Sequence, residues 1–142
     1  MSTRTASARW QGTLKEGSGV LRTGKGGYEG PYSFASRFEE GEGTNPEELI
    51  GAAHAACFSM AFSNILATAG FTPTSVETTA AVQFERVDGA PTVTRIDLTT
   101  IGDVPGISED DFLAKAEEAK QNCPISRLLA PGTEITLSAK LA

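Results

Sequence analysis

The chain has 142 residues, which is long enough for one domain with its own apolar core, and we expect a single domain over residues 1–142. Its net charge of −6 and the lack of a basic stripe argue against a nucleic-acid-binding surface. The polar stretch at residues 1–9 lacks the apolar segment of a secretory signal, so we expect a cytoplasmic protein. In that compartment two cysteines are more often catalytic or transiently bonded than a structural disulfide, although two buried, inert thiols remain the alternative.

The first part of the chain predicts three strands. Residues 6–14 alternate between small or apolar and polar side chains, and residues 20–23 resume an extended pattern after a Gly-Ser-Gly turn. A glycine-rich loop covers residues 24–31. Aromatic residues then alternate over residues 32–38, which predicts a third strand with Arg37 near its end, on the face opposite the aromatic rings.

A long helix follows. Asn45 is a suitable N-cap, Pro46 fits the first helical position, and Glu48 completes an arrangement like a capping box. The apolar run continues to Ala69, and Gly70 is a suitable residue after the helix end. About 24 residues give a helix about 36 Å long.

This helix is the only segment that could be considered for a membrane span. His54 and several other polar residues interrupt it, and its flanks carry Glu47 and Glu48 rather than basic residues. We therefore interpret it as a helix buried in the core and expect no membrane association. One small monomer has too little sheet to cover every face of such a helix, so burial predicts a homodimer in which two copies pack together.

The remaining chain predicts two strands, a helix and a last strand. Residues 74–87 and 92–101 are rich in Val, Thr and Ile and are joined by a turn at 88–91. Ser108 caps a helix over residues 109–121, and a strand covers residues 133–141. The apolar face of that helix contains Phe112, Leu113, Ala116 and Ala119. The order β-β-β-α-β-β-α-β indicates an α+β fold in which antiparallel strands cover the helices.

Cys57 lies in the middle of the long helix, where burial would raise the pKa of its thiol and make it inert. A reactive Cys57 needs a cation from elsewhere in the fold, and the candidate is Arg37, held by Glu47 or Glu48. In the alternative, which the residues alone favour, Arg37 is a solvated strand residue and the two glutamates only cap the helix. Cys123 follows the second helix, where the dipole does not activate a thiol, so it is a plausible resolving cysteine.

His54 lies three residues before Cys57 and is therefore a helical neighbour of the thiol. It could be the base of a cysteine hydrolase, a metal ligand with Cys57, Cys123 and a carboxylate, or a buried histidine with a satisfied ring. The last of these is the interpretation that the residues favour. A binding module and a purely structural dimer also remain open.

The segment GTNPEELIGAAHAACFSMA at residues 43–61 resembles the OsmC/Ohr family of hydroperoxide reductases. The segments AGFTPTS at 69–75, NCPIS at 122–126, RFE at 37–39 and ARWQG at 8–12 fit the same family, so the resemblance covers essentially the whole chain. His54 in the helix and the long meander before Arg37 look like the OsmC (osmotically inducible protein C-like) branch.

The resemblance implies an intertwined α+β homodimer, with antiparallel sheets wrapped around long central helices and active sites at the interface. It implies that Cys57 attacks an organic hydroperoxide, that Cys123 forms a disulfide with it, and that Arg37, bound by Glu47, stabilises the thiolate. A dithiol, such as a lipoylated protein, would reduce the disulfide. No metal or organic cofactor is expected.

Two further expectations concern the position of Glu47 relative to Cys57 and the path by which a substrate enters. Glu47 and Cys57 are ten positions apart, about 15 Å along a straight helix and roughly 80° out of phase. Either the first turn of the helix is irregular or Glu47 acts on the Cys57 of a partner subunit. We expect the second, because two antiparallel core helices would bring the start of one near the middle of the other. We also expect an apolar substrate entrance formed by Phe38, Phe58, Met60 and Ile125. If the chain does not turn over peroxide, a small-molecule, metal-binding or redox-sensing module on the same fold is the alternative function.

Overall fold

The computed structural model describes all 142 residues. The helices and strands, in chain order, are β1 (Ala6–Gln11), β2 (Ser18–Thr23), β3 (Glu29–Tyr32), α1 (Phe34–Phe38), α2 (Pro46–Thr68), β4 (Ser75–Val87), β5 (Ala90–Asp103), α3 (Glu109–Asn122), α4 (Pro124–Leu129) and β6 (Glu134–Leu141). The chain forms two compact units, an N-terminal unit, Met1–Leu49, and a C-terminal unit, Ile50–Ala142. The α+β class expected from the sequence is confirmed, and the expectation of a single domain stays a prediction.

The N-terminal unit contains an antiparallel sheet with the order β1-β2-β3. Ala6 pairs with Thr23 and Gly19 pairs with Tyr32, so the three strands form a meander. The ring of Trp10 on β1 packs on the ring of Tyr32 on β3, with centroids 5.3 Å apart. Because much of this small sheet is exposed, such aromatic contacts and the strand hydrogen bonds are its main internal support.

The prediction of a strand over residues 32–38 is wrong after Tyr32, because the residues 34–38 form the short helix α1. Ser33 and Ser36 close a capping box at its start, each side chain bonding the backbone N–H of the other. Ser36 Oγ also donates to the carbonyl of Thr44, 2.7 Å away. These side-chain bonds outweigh the local alternation of aromatic residues, and they place Arg37 in the last turn of a helix.

Helix α2 begins and ends where the sequence predicts. The backbone N–H of Glu48 donates to Oδ1 of Asn45 at 2.8 Å, and Pro46 occupies the first position. Two glutamates lie in the first turn, where the positive end of the helix dipole favours them. Gly70 has a φ of +93° and accepts the left-handed conformation that ends the helix.

The C-terminal unit contains the second sheet, with the order β4-β5-β6. Strands β4 and β5 form an antiparallel hairpin, and Asp88 and Gly89 at its turn both have positive φ. Strand β6 pairs parallel to β5, with Ile96 opposite Ile135. The sheet is thus mixed rather than wholly antiparallel, because helices α3 and α4 carry the chain back to the end at which β5 began.

Helices α2 and α3 pack with strand β5 in the core of the C-terminal unit. Phe58, Phe62 and Leu66 of α2 are fully buried, and the rings of Phe62 and Phe112 lie 5.2 Å apart. Each such side chain contributes about 2–3 kcal/mol by leaving water. The predicted apolar face of α3 is confirmed at Phe112, Ala116 and Ala119. Leu113 is 42% exposed and does not belong to it.

The opposite face of α2 is not covered. Met60 is 75% exposed, and several alanines beside it are also exposed. By length and composition α2 could cross a membrane, a test that the core helix of a soluble protein also passes. Only 28% of its most apolar stretch is buried within the chain, so the expectation of a helix buried on all faces is not met by one subunit alone.

Candidate active site

The two cysteines meet in the C-terminal unit. Cys57 lies on α2, and Cys123 lies between α3 and α4, where it ends one helix and precedes the next. Both are free thiols, and Cys123 Sγ donates to Cys57 Sγ across 3.1 Å. A disulfide bond is about 2.05 Å long, so a shift of about 1 Å would bring the sulfur atoms to bonding distance.

The two thiols differ in their exposure. Cys57 is partly exposed, whereas Cys123 is fully buried in the core. Burial raises the pKa of the Cys57 thiol, the neighbouring Cys123 acts in the same direction, and the backbone N–H of Ile125, which bonds the Cys57 sulfur, opposes them. Within one C-terminal unit, therefore, the surroundings of Cys57 do not favour the thiolate.

Arg37 and Glu47 form an ion pair in the N-terminal unit. Arg37 Nη2 donates to Glu47 Oε1 at 2.8 Å, and Arg37 Nε donates to both carboxylate oxygens at 3.2 and 3.3 Å. The Glu47 side chain is only 10% exposed and that of Arg37 is 36% exposed. The guanidinium also lies 5.4 Å from the ring centroid of Phe38. This geometry supports the predicted pairing of Arg37 with Glu47. It holds the guanidinium in one orientation while about a third of the Arg37 side chain stays exposed to solvent.

The scaffold of that ion pair comes from the turn between α1 and α2. Asn45 Nδ2 donates to the carbonyl of Ser36 at 2.9 Å while Asn45 Oδ1 caps α2. Thr44 is buried, and its hydroxyl donates to Glu48 at 3.1 Å. The two glutamates therefore have separate roles: Glu47 binds the arginine and Glu48 supports the turn.

His54 is fully buried, and its Nε2 lies 2.7 Å from the hydroxyl of Ser126 on α4. Burial lowers the pKa of His54 below its ordinary value, so the ring is neutral at neutral pH. Neither ring nitrogen bonds Cys57, and Nδ1 has no hydrogen-bond partner in the chain. The residues alone favour a buried histidine with a satisfied ring. Its burial is confirmed, but the expectation of a satisfied ring is wrong because Nδ1 has no partner. The sequence also does not identify Ser126, which lies 72 positions away.

Comparison with known proteins identifies the family of this chain. Residues 39–138 match the sequence model of the family described as OsmC-like protein. The protein called Peroxiredoxin OsmC, from Escherichia coli (strain K12) and from Shigella flexneri, is 48% identical over 139 residues, which cover 97% of this chain and 96% of that protein. This chain belongs to the OsmC-like protein family.

Solved structures of similar fold include organic hydroperoxide resistance proteins. The one from Elizabethkingia anophelis has a TM-score of 0.78 at 21% identity, with 99% of each chain covered. OhrB of Bacillus subtilis has a TM-score of 0.73 at 21% identity, with 96% of this chain and 98% of that one covered. At this identity they show that the OsmC-like protein shares their fold.

The predicted substrate entrance is only partly supported. Phe58 has no exposed surface and packs 5.7 Å from Phe62, so the prediction that it lines an entrance is wrong.

The other three predicted entrance residues lie in different places. Phe38 lines a cavity of about 350 Å³ in the N-terminal unit of this OsmC-like protein, together with Arg37. Met60 borders a second cavity of about 550 Å³ beside α2, and Ile125 is partly buried against the core.

The alternative of a metal site formed by His54, Cys57, Cys123 and a carboxylate is not supported in this OsmC-like protein. No group of three or more His, Cys, Asp or Glu residues is arranged to hold a metal ion. The hydrolase interpretation also loses its main support, because the ring of His54 bonds Ser126 instead of Cys57. The arrangement that remains is a pair of adjacent thiols, and redox chemistry between them is what its geometry allows.

Proposed function

We propose that this OsmC-like protein is a thiol-dependent peroxidase that reduces organic hydroperoxides to alcohols. The observation that carries the proposal is the approach of Cys57 Sγ and Cys123 Sγ to 3.1 Å, with the first thiol partly exposed and the second fully buried. An accessible thiol can meet a substrate, and a buried neighbour can only meet the first thiol. The relatives named peroxiredoxin, at 48% identity, support the same chemistry.

In the proposed cycle the Cys57 thiolate attacks the terminal oxygen of the hydroperoxide. The O–O bond breaks, the leaving alkoxide takes a proton to become the alcohol, and Cys57 becomes a sulfenic acid. The Cys123 sulfur then attacks the Cys57 sulfur, the S–O bond breaks, and water leaves with the Cys123 proton. A dithiol reduces the resulting disulfide to two thiols and is itself oxidised.

The thiolate requires a cation, because burial raises the pKa of Cys57. We assign that role to Arg37, oriented by Glu47. Glu47 and Cys57 are ten positions apart in the sequence, and ten residues of an ideal α-helix span about 15 Å. For that reason the proposed cycle uses Arg37 of the partner subunit, held by Glu47 of the partner subunit.

The homodimer that this requires is supported by the uncovered apolar face of α2 around Met60. Hydroperoxides with an alkyl or aryl group are proposed as substrates because the ring of Phe38 lines a cavity beside Arg37. The proposed reductant is a dithiol such as a lipoylated protein, and the proposed location is the cytoplasm. The two thiols and the external dithiol supply the electrons for these steps, so no metal or organic cofactor is proposed.

The test is consumption of cumene hydroperoxide with dihydrolipoamide, measured beside hydrogen peroxide. We expect turnover that is faster with the organic substrate and is abolished by Cys57→Ser. A Ser63→Cys variant, with its extra thiol on the same helix, combined with Cys57→Ser is the matched control and should remain inactive. If the wild type consumes no peroxide with any dithiol, the peroxidase proposal is wrong and the alternative of a binding or redox-sensing module is favoured.

A further inference from the structure

Two contacts join helix α2 to the segment that contains Cys123. The first is the approach of the two sulfur atoms at 3.1 Å, and the second is the 2.7 Å bond between His54 Nε2 and Ser126 Oγ. His54 lies three residues before Cys57, and Ser126 lies three residues after Cys123. The His54–Ser126 bond therefore lies about one helical turn away from the Cys57–Cys123 contact on both segments.

The segment that Cys123 belongs to has little support of its own. Helix α4 has six residues, begins at Pro124, and has no side-chain hydrogen bond at its N-cap. Such a short helix is marginal without tertiary contacts. His54 is 0% and Ser126 3% exposed, so water cannot readily replace the bond between them.

We propose that His54 and Ser126 are positioning residues that hold the Cys123 thiol beside Cys57 and so set the rate at which the sulfenic acid closes to the disulfide. The inference rests on the proposed peroxidase function. The step it concerns is the attack of the Cys123 sulfur on the Cys57 sulfur, in which the S–S bond forms, the S–O bond breaks and water leaves. Neither positioning residue touches the reacting atoms.

The physical reason is the cost of misplacing a reacting group. An approach of two groups within about 3–3.5 Å makes an intramolecular step fast, and a displacement of about 1 Å can cost about 100-fold in rate. The first step, attack of Cys57 on peroxide, does not use Cys123 and should not depend on this bond. If Cys123 attacks more slowly, the Cys57 sulfenic acid persists longer. A second peroxide molecule can then oxidise it to sulfinic acid.

The experiment separates the two steps in the full-length protein. One equivalent of cumene hydroperoxide is mixed with reduced protein, and the sulfenic acid (trapped by dimedone) and the disulfide are followed by quenched-flow mass spectrometry. In Ser126→Ala and His54→Leu we expect peroxide consumption within about threefold of wild type but disulfide closure at least about tenfold slower. Sulfinic acid should increase when excess peroxide is present.

Conservative variants distinguish positioning from a general structural role. Ser126→Thr keeps a hydroxyl and His54→Gln keeps a hydrogen-bonding amide near the position of Nε2, so both should restore most of the closure rate. Ser59→Ala is the matched control, because it removes another hydrogen bond of α2, the 2.8 Å bond to Thr78, on the side facing β4. That variant should close its disulfide at the wild-type rate even if its melting temperature falls.

The outcomes are separable. Wild-type closure rates in both Ser126→Ala and His54→Leu would overturn the positioning role while leaving the peroxidase intact. Equal slowing of both steps, or equal slowing in Ser59→Ala, would also overturn it and indicate a general loss of structure. A wild type that forms no sulfenic acid and no disulfide would instead contradict the proposed function itself.

Discussion

Arg37 and Glu47 are joined by three hydrogen bonds between one guanidinium group and one carboxylate, at 2.8, 3.2 and 3.3 Å. The pair links the last turn of α1 to the first turn of α2, and the carboxylate is almost buried. An arginine held in this way has little rotational freedom, because its planar group is fixed through two different nitrogens. The orientation of this cation is therefore set before any substrate arrives.

The first prediction concerns that orientation. Glu47→Gln and Arg37→Lys should each slow the reaction of Cys57 with cumene hydroperoxide by about 10- to 100-fold, since a lysine keeps the charge but cannot form the two-nitrogen contact. Stopped-flow kinetics measures this rate, and the pH dependence of Cys57 alkylation should shift upward in parallel. Glu29→Gln is the control, because the Arg22–Glu29 pair is exposed and should be worth less than about 1 kcal/mol. Equal rates in Glu47→Gln and wild type would contradict the role of the pair.

The second prediction concerns the resolving cysteine. Cys123→Ser should reduce one equivalent of hydroperoxide and then stall, because a serine hydroxyl cannot form the disulfide that a dithiol reduces. Mass spectrometry should find the sulfenic acid, or its dimedone adduct, at Cys57. Cys57→Ser, as the control, should reduce none. Sustained turnover of Cys123→Ser with a dithiol would show that Cys123 has no resolving role.

The sequence predicts those parts of the fold that are determined by residues close together in the chain. Helix α2 has its start marked by Asn45 and Pro46 and its end by Gly70, and the structure confirms both. Helix α1 was missed because its stability comes from Ser36 bonding Thr44, eight positions away, while its aromatic residues alternate as in a strand. The parallel pairing of β6 and β5 likewise depends on tertiary structure that a single sequence does not display.

The candidate site divides in the same way. Residue chemistry and the family resemblance together identify Cys57, Cys123, Arg37 and Glu47, and the structure places them in two pairs. They do not identify Ser126, since a serine in a short helical turn has no distinctive pattern. Phe58 was misplaced because on a helix that is apolar on every side, the sequence does not reveal which face packs in the core.

The third prediction concerns stability and pH. Burial holds the pKa of His54 below its ordinary value of 6.5 in the folded protein, so as pH falls below about 6.5 the unfolded chain gains a proton that the folded chain does not. The free energy of unfolding should therefore decrease on acidification, by at most about 1.4 kcal/mol per pH unit from this residue. Urea unfolding between pH 7.5 and 5.5, roughly one unit either side of that value, measures the slope. His54→Gln should have a shallower slope because His54 is the only histidine, and identical slopes would contradict the argument.

The fourth prediction concerns the uncovered face of α2. Met60 is 75% exposed on an otherwise apolar helix, and a stable dimer would remove it from water. Met60→Glu should shift the protein towards monomer by burying an unpaired charge at the interface, as measured by light scattering after size exclusion. Leu113→Glu places the same charge at an exposed position of α3 and should leave the association unchanged.

If the partner subunit supplies Arg37, the Met60→Glu monomer should also lose peroxidase activity. The activity should return at protein concentrations high enough to restore the dimer. A fully active monomer would mean that one subunit contains the complete site.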